Sequence, residues 1–241
     1  MTRLKKSKVV FLVSEDKFFI YDFILKISNN PRVDIKLIII QEYNEKIKRK
    51  LILSLLFGFW NCLILFYELF FKRSSNSIAK LCKNKKIKFV STNNLNDSKI
   101  INKIKKQNVD LIINLNVMKI FKKNLINKFK KKLVNFHPGI LPNYRGLYST
   151  FYKIINKDKY FGITSHYIRN KIDEGPIISI IKQKINGRKL FDCYKIIYLK
   201  MIYKLLDETL RKKGKSLKEN KQSNLKIYKS PNLIQILKYK F

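Results

Sequence analysis

The chain has 241 residues and a formal net charge of +37, from 53 Lys and Arg against 16 Asp and Glu. Hydrophobic residues still make up 46% of it, which excludes a disordered basic chain, because disorder requires low hydrophobicity as well as high charge. With only 7 Gly and 5 Pro, the composition also excludes collagen-like and linker-like chains. We expect one domain over residues 1–213, long enough to bury a sizeable core, followed by a basic C-terminal tail over 214–241.

The high charge has two explanations. It would suit a polyanionic partner such as nucleic acid or an anionic membrane surface. However, the cations are 45 Lys and only 8 Arg, and the chain has a single Ala, which is the pattern that A/T-rich codons produce whatever the function. Proteins that read phosphates and bases favour Arg for its bidentate fork. We therefore expect codon usage, rather than a nucleic-acid partner, to explain most of the charge.

The predicted elements alternate along the chain. Apolar runs rich in β-branched residues predict strands, helical spacing predicts helices between several of them, and a long helix follows at about 189–213. The predicted strands are 8–14, 33–41, 87–91, 109–115, 133–137, 161–168 and 176–185, and the earlier helices are 16–29 and 97–107. This order predicts an α/β fold with a mostly parallel, twisted sheet flanked by helices. Such sheets bind ligands at the carboxyl ends of their strands, which here follow residues 113 and 135.

The N-terminus and the cysteines point to an ordinary reduced, cytoplasmic protein. The first apolar run ends at Ser14 without a cleavage site, so we interpret it as a strand rather than a signal peptide. Cys62, Cys82 and Cys193 are far apart and have no metal-ligand spacing, so we expect no metal.

A hydrophobic segment interrupts the pattern. Residues 51–71 are nearly all apolar, and clusters of basic residues flank them at 46–50 and 72–73. At 100° per residue their few polar positions form one narrow stripe, which predicts an inserted helix over about 50–73 with a very wide apolar face. Two interpretations remain open: a core helix that covers the sheet, or a helix that also makes peripheral contact with a membrane surface.

Three polar residues suggest chemistry. Asn135 and His137 lie two positions apart on a predicted strand, so their side chains point to the same side, and Asp173 precedes a Gly-Pro turn. An Asn and a His can donate to a developing oxyanion, and a carboxylate can handle the protons of an attacking amine. Spacing alone favours ordinary structural roles for these residues, because an Asn-x-His pair is common.

Longer motifs make the pattern specific. The run NFHPGILPNYRG over 135–146 resembles the signature of the folate-dependent formyltransferases, as does GITSHYI at 162–168 followed by DEGPII at 173–178. Upstream, DLIINLNVMKIF over 110–121 looks like that family's strand and folate-pocket segment. Three ordered blocks make a strong signal, sequence-specific over 109–180. The resemblance implies a Rossmann-like formyltransferase fold and 10-formyltetrahydrofolate as co-substrate.

The resemblance also implies roles for individual residues. Asn135 and His137 would polarise the formyl carbonyl, Asp173 would pair with His137 and organise proton transfer, and His166 would support them. The pteridine pocket would be formed by Met118, Ile120 and Phe121 on one wall and by Ile172, Glu174 and Gly175 on the other. The acceptor would be bordered by residues of one loop: Gly139, Leu141, Pro142, Tyr144, Arg145 and Gly146.

Departures from the family bear on the acceptor amine. The purine-pathway members have a Gly-rich phosphate-binding turn after the first strand, but residues 11–17 contain no Gly. The tRNA-formylating members have their own turn there and a further C-terminal domain, and we expect neither here. The resemblance is then greatest to enzymes that formylate amino sugars, often nucleotide-linked, for surface polysaccharides. The alternatives are a glycinamide ribonucleotide or methionyl-tRNA formyltransferase, or a basic membrane- or nucleic-acid-binding protein on this scaffold.

Overall fold

The computed structural model describes residues 6–14, 19–42, 77–213 and 225–240, together with positions 56, 63, 215 and 220. The predicted insertion at 50–73 therefore lies outside the described residues, apart from Leu56 and Leu63. Within the described part of the chain, no helix is long and apolar enough to cross a membrane.

Short helices alternate with strands from the first residues onward. The strands are β1 (Ser7–Ser14), β2 (Val33–Gln41), β3 (Phe89–Thr92), β4 (Leu111–Leu115), β5 (Leu133–His137), β6 (Arg145–Gly146), β7 (Tyr160–Tyr167), β8 (Ile177–Lys184) and β9 (Ile227–Tyr228). The helices are α1 (Ile20–Ile27), α2 (Ile78–Asn84), α3 (Ser98–Lys106), α4 (Lys123–Lys128), α5 (Ser149–Ile155), α6 (Leu190–Ile196), α7 (Ile202–Arg211) and α8 (Leu233–Lys240). A π-helical turn at Ile197–Met201 joins α6 to α7, so the predicted long helix is present with a bulge in its middle.

The main sheet has seven strands in the order β3-β2-β1-β4-β5-β7-β8. The first five of these pair in parallel, whereas β7 is antiparallel to β5, and β8 is antiparallel to β7. The prediction of a mostly parallel α/β sheet flanked by helices is confirmed. The strand order reverses direction beside β1, and β4 and β5 end side by side at the edge where such sheets bind ligands.

The central strand β1 shows how the layers form. Alternate residues point to opposite faces, so Val9, Phe11 and Val13 join one buried cluster while Val10 and Leu12 join another. The first cluster lies under α1, α2, α6 and α7, and the second under α3 and α4. Because both faces are covered, β1 is an almost uninterrupted apolar run.

The described part of the predicted C-terminal tail folds against the rest of the chain. Strand β9 pairs in parallel with β6 through Arg145–Ile227 and Gly146–Tyr228. The following helix α8 contributes Ile236 to a third buried cluster with Leu56, Phe151 and other residues. The tail thereby reaches the loop between β5 and α5.

Candidate functional site

Three polar side chains form a row across neighbouring strands. Asn114 of β4 is in register with Asn135 of β5, which is in register with His166 of β7. Residues in register share a face of the sheet, and these three are linked by hydrogen bonds. Asn114 Nδ2 donates to Asn135 Oδ1 over 2.8 Å, and Asn135 Nδ2 lies 3.2 Å from His166 Nε2. His166 Nδ1 lies 3.0 Å from the Tyr167 carbonyl, which can only accept, so Nδ1 bears a proton.

Asp173 closes the row from the loop after β7. Its Oδ2 accepts the Gly146 N–H over 2.8 Å and lies 3.4 Å from His137 Nδ1. Its Oδ1 lies 3.4 Å from both Asn135 Nδ2 and His166 Nε2. The backbone has a positive φ of 52°, and Asn220 Nδ2 donates to the Asp173 carbonyl over 2.7 Å. The carboxylate is thus held from several directions.

The His137 ring is bonded at both nitrogens. Nε2 lies 3.0 Å from the Tyr144 carbonyl, so it bears a proton. The contact between Nδ1 and the Asp173 carboxyl then needs one further proton, since two lone pairs would otherwise face each other. His137 Nδ1 therefore donates to Asp173 only when the imidazole carries this second proton, and in that state the pair has no net charge.

The electrostatics of the pair follow from its burial. Burial alone would raise the pKa of the Asp173 carboxyl, but the His137 and His166 rings and the Gly146 N–H hold that pKa well below its usual range. Burial lowers the pKa of His137, and the Asp173 carboxylate opposes that shift. Asp173 is consequently ionised at neutral pH.

The loop between β5 and α5 is held close to His137. The Pro138 carbonyl accepts from the hydroxyls of Ser149 and Thr150, over 2.7 Å and 3.0 Å. Gly139 packs so closely that an added Cβ would lie 2.6 Å from His137 Nε2. A glycine is therefore required where this loop passes the imidazole.

Further along this loop, Tyr144 has a φ of 57° and is anchored at both ends. Its ring stacks on Tyr228 at 5.2 Å between centroids, and its hydroxyl donates to Asp158 over 2.9 Å. Burial and the neighbouring Asp158 raise the pKa of this hydroxyl to about 12, so it stays a donor. The Tyr144 carbonyl is thereby held in place for His137.

A cavity of about 550 Å³ opens at this row of polar side chains. Its lining includes residues 116–121 and 168–172, which we call the first arm. It also includes five aromatic side chains, which we call the aromatic arm: Phe19, Tyr148, Tyr194, Tyr198 and Tyr228. Lysines and an arginine lie around the opening: Lys119, Arg169, Lys171 and Lys229. Cationic side chains here favour an anionic ligand.

The structure brings most of the predicted site residues to this cavity. Its lining includes all three predicted catalytic residues and their predicted supporter, together with several predicted binding residues: Asn135, His137, Asp173, His166, Met118, Ile120, Phe121, Ile172 and Gly146. Gly139 and Gly175 are buried beside it, and an added Cβ on Gly175 would lie 1.5 Å from the Tyr167 carbonyl oxygen.

Other residues of the predicted acceptor loop point elsewhere. Arg145 Nη2 pairs with Glu174 Oε1 at 2.8 Å, and Arg145 Nε donates to the Ile172 carbonyl over 3.1 Å. Leu141 is buried and donates its N–H to Thr164, and Pro142 beside it is partly buried. Like the Tyr144 side chain, these side chains lie outside the lining of the cavity and support the loop that borders it.

The motifs missed three residues that the structure places at the site. Asn114 is the one polar side chain in the apolar strand β4, which is a signal available in the sequence because buried polar groups need partners. Asn220 and Tyr228 belong to the predicted tail, where nothing in the local pattern distinguishes them. Among the described residues, no cluster of three or more His, Cys, Asp or Glu side chains could hold a metal ion.

Comparisons with known proteins agree with this geometry. The Formyl transferase family profile matches residues 68–189, about half of the chain. The chain is 26% identical over 226 residues to the methionyl-tRNA formyltransferase of Finegoldia magna, covering 92% of this chain and 65% of that protein. It is 31% identical over 138 residues to the bifunctional polymyxin resistance protein ArnA of Wigglesworthia glossinidia brevipalpis, covering 56% of this chain and 21% of ArnA. The chain thus spans less than two thirds of the length of either relative.

The fold agrees with solved structures as well. Glycinamide ribonucleotide transformylase 1 of Symbiobacterium toebii superposes with a TM-score of 0.61 at 16% identity, covering 84% of this chain and 85% of that one. The motif blocks over 110–178 and the Asn135–His137–Asp173 cluster lie within the region that the family profile matches. The chain therefore belongs to the formyl transferase family.

Proposed function

We propose that the protein transfers a formyl group from 10-formyltetrahydrofolate to the primary amine of a small acceptor, and that this acceptor is an amino sugar, nucleotide-linked or free. The acceptor nitrogen attacks the formyl carbon, and the bond between that carbon and N10 of the folate breaks. The acceptor nitrogen loses one proton and N10 gains one, so the products are an N-formyl amine and tetrahydrofolate.

Asn135 is suited to stabilise the tetrahedral intermediate. Its amide is partly exposed to the cavity, and Asn114 holds its oxygen on the opposite side from the Nδ2 donor. A fixed donor needs little rearrangement when negative charge develops on the formyl oxygen. Asn135 Nδ2 also contacts His166 Nε2 and Asp173 Oδ1, so the formyl oxygen would take the place of one of these partners.

The His137–Asp173 pair is suited to proton transfer. It lies against the same cavity as Asn135, with His137 Nδ1 3.4 Å from Asp173 Oδ2. The intermediate has a surplus proton on the acceptor nitrogen and needs one on N10. The imidazole can take up the first proton, where the Asp173 carboxylate stabilises its charge, and can release a proton to N10, directly or through a water.

The two arms of the cavity match the two substrates. The arm with Met118 and Phe121 offers apolar walls for a flat pteridine ring, and the cations at its rim, Lys119 and Arg169, suit the carboxylates of the folate's glutamate. Both ligands would meet at Asn135, which lines the cavity.

The aromatic arm is the observation that carries the amino-sugar proposal. Phe19 and Tyr198 stack at 5.2 Å with an interplanar angle of 11°, and Tyr148, Tyr194 and Tyr228 add further rings to the lining. Aromatic faces pack against the C–H face of a sugar ring, and tyrosine hydroxyls can bond its hydroxyl groups. A tRNA acceptor stem would instead call for an exposed basic surface.

Methionyl-tRNA is the second candidate acceptor. The 26% identity to a methionyl-tRNA formyltransferase extends over 92% of the chain, and a charge of +37 would favour a polyanion. Its binding would weaken steeply with salt, whereas a small sugar substrate, even a nucleotide-linked one, has far fewer phosphates and would show a weaker salt dependence.

A substrate panel tests the proposal. The protein is incubated with 10-formyltetrahydrofolate and, separately, with nucleotide-linked amino sugars, free amino sugars, glycinamide ribonucleotide and methionyl-tRNA. Release of tetrahydrofolate is followed by absorbance, and the formylated acceptor is identified by mass spectrometry. Release with an amino sugar supports the proposal, while release only with methionyl-tRNA or the ribonucleotide overturns its acceptor.

Two control variants separate chemistry from binding. Asn135→Ala removes the oxyanion donor, and we expect kcat to fall by about 10²- to 10³-fold. Tyr228→Ala enlarges the aromatic arm, and we expect the KM for the acceptor to rise more than the KM for the folate. If neither acceptor class is formylated and Asn135→Ala changes nothing, formyl transfer itself is wrong.

A further inference from the structure

The described residues leave a second apolar face of helix α8 exposed. Leu233, Ile234 and Leu237 are 63%, 66% and 47% exposed, whereas Ile236 is only 4% exposed. At 100° per residue, the three exposed positions lie within one arc of about 100°, whose centre is about 110° around the helix from Ile236 and about 170° from Tyr239. An ordinary surface helix has polar residues on that outer face, so this exposed patch is unusual.

The inner face of α8 fixes the direction in which the outer face points. Ile236 lies in the buried cluster with Phe151 and Leu190. The Tyr239 hydroxyl accepts the Leu190 N–H over 3.0 Å, and its ring lies 5.6 Å from that of Phe151. Since these contacts anchor the helix, it cannot rotate to bury Leu233, Ile234 and Leu237.

The start of α8 is also fixed. Asn232 Oδ1 accepts the Gln235 N–H over 2.9 Å, and Gln235 Oε1 accepts the Asn232 N–H over 3.0 Å. This reciprocal pair is a capping box, which stabilises the first turn. The three exposed apolar residues therefore lie on a helix whose first turn is already stabilised.

Positive charge surrounds the exposed face. Residues 225–240 contain four lysines and no Asp or Glu. Lys238 is exposed and borders the apolar arc about 40° beyond Ile234, and Lys226 and Lys229 are exposed on the strand before the helix. Lysine stems can lie along apolar surface while their ammonium groups reach the polar phase.

From the apolar arc and its lysine border we infer that α8 docks the protein onto an anionic lipid surface. The helix lies in the plane of the interface, Leu233, Ile234 and Leu237 insert below the headgroups, and the lysines contact the anionic groups. This inference does not depend on the identity of the acceptor amine.

Charge selects this occupant over a second copy of the chain. Each copy has a net charge of +37, so two copies meeting at a lysine-bordered face would repel each other. A surface of anionic headgroups supplies the opposite charge and an apolar phase together. A nucleic acid would supply negative charge but no apolar phase for the three exposed apolar residues.

Vesicle sedimentation tests the inference with the 241-residue chain. Binding is compared on vesicles of phosphatidylcholine alone and on vesicles that also contain phosphatidylglycerol. We expect binding to the anionic vesicles that weakens at high salt. The triple variant Leu233→Gln/Ile234→Gln/Leu237→Gln keeps helix propensity, and we expect it to lose about tenfold or more of the partition coefficient.

A matched control carries Leu25→Gln and Ile180→Gln, two exposed apolar residues on other elements. It should bind vesicles as the wild type does, and both variants should keep their circular dichroism. Wild-type binding that the triple variant retains, or no binding of the wild type, overturns the inference. So does a wild-type dimer, seen by light scattering, that the triple variant converts to a monomer.

Discussion

Asn114 donates its side-chain N–H to the side-chain oxygen of Asn135 over 2.8 Å, across two parallel strands that are in register at these residues. This bond decides which way the Asn135 amide faces. Its oxygen is turned to Asn114, so its Nδ2 is turned to His166, Asp173 and the cavity. Asn114 is thus a positioning residue for the proposed oxyanion donor.

Replacing Asn114 by leucine should separate activity from stability. The Asn135 amide would lose its orienting partner, and we expect kcat to fall roughly 10- to 100-fold with little change in KM. Asn114 Oδ1 is buried without a hydrogen-bond partner among the described residues, so leucine should leave the free energy of unfolding unchanged or raise it by about 1 kcal/mol. Steady-state kinetics and thermal unfolding measure both effects, and an unchanged kcat would remove Asn114 from the mechanism.

The sequence predicted the sheet well because its strands are buried on both faces. Runs such as residues 8–14 and 33–41 are apolar and β-branched throughout, which leaves little ambiguity. The Asn135–His137–Asp173 cluster was also predictable, because its motif blocks are long. The register between β4 and β5 could not be predicted, because it depends on contacts between distant residues. The role of Asn114, which depends on that register, could not be predicted either.

The C-terminal residues show the opposite case. Residues 225–240 are Lys-rich and loosely patterned, and β9 has only two residues, too few for any periodicity to show. Tyr228 gains its position from contacts with Tyr144 and Tyr152, with ring centroids 5.2 Å and 4.4 Å away. The local sequence therefore predicted a tail, although its described part packs on the loop between β5 and α5.

Gly139→Ala should disturb the imidazole directly. The new Cβ would lie 2.6 Å from His137 Nε2 and 2.8 Å from Ser149 Cβ, so the ring or the loop must move. We expect kcat to fall at least about tenfold and stability to fall by about 1–3 kcal/mol, measured by kinetics and chemical denaturation.

Gly187→Ala is the matched control for this substitution. Gly187 has a φ of 69° and nothing within 4 Å of an added Cβ, so alanine there strains the backbone without a clash. It should cost about 1 kcal/mol of stability and leave kcat unchanged. Equal losses of kcat in both variants would show that general destabilisation, not the His137 contact, is responsible.

Asp173→Asn should shift the titration of His137. The Asp173 carboxylate favours the charged imidazolium, so removing it should lower the pKa of His137 further and move its midpoint to lower pH. The chain has only two histidines, so their Cε1–H signals can be followed by NMR and assigned with His166→Gln. A midpoint that stays or rises would contradict the electrostatic contact between Asp173 and His137.

The same carboxyl predicts an acid dependence of stability. The pKa of Asp173 is lower in the folded chain than in the unfolded one, so its ionised form stabilises the fold at neutral pH. That contribution is lost as the pH falls through and below the unfolded value of about 4. Wild-type protein should therefore lose stability relative to Asp173→Asn as the pH drops below about 4, measured by denaturation at a series of pH values.

Arg145 should prove to be a structural cation rather than an acceptor contact. It is 3% exposed and holds both Glu174 and the Ile172 carbonyl. Arg145→Ala removes one partner of a largely buried pair, and we expect it to cost about 3 kcal/mol of stability. Arg145→Lys should rescue little, because the donors of an ammonium all lie on one nitrogen, whereas Arg145 reaches its two partners from separate nitrogens of a planar guanidinium. Arg145→Ala/Glu174→Ala should cost less than the sum of the single variants, because the pair is coupled.

A rise in the acceptor KM in Arg145→Ala, without loss of stability and without a matching effect in Glu174→Ala, would instead assign Arg145 to the acceptor.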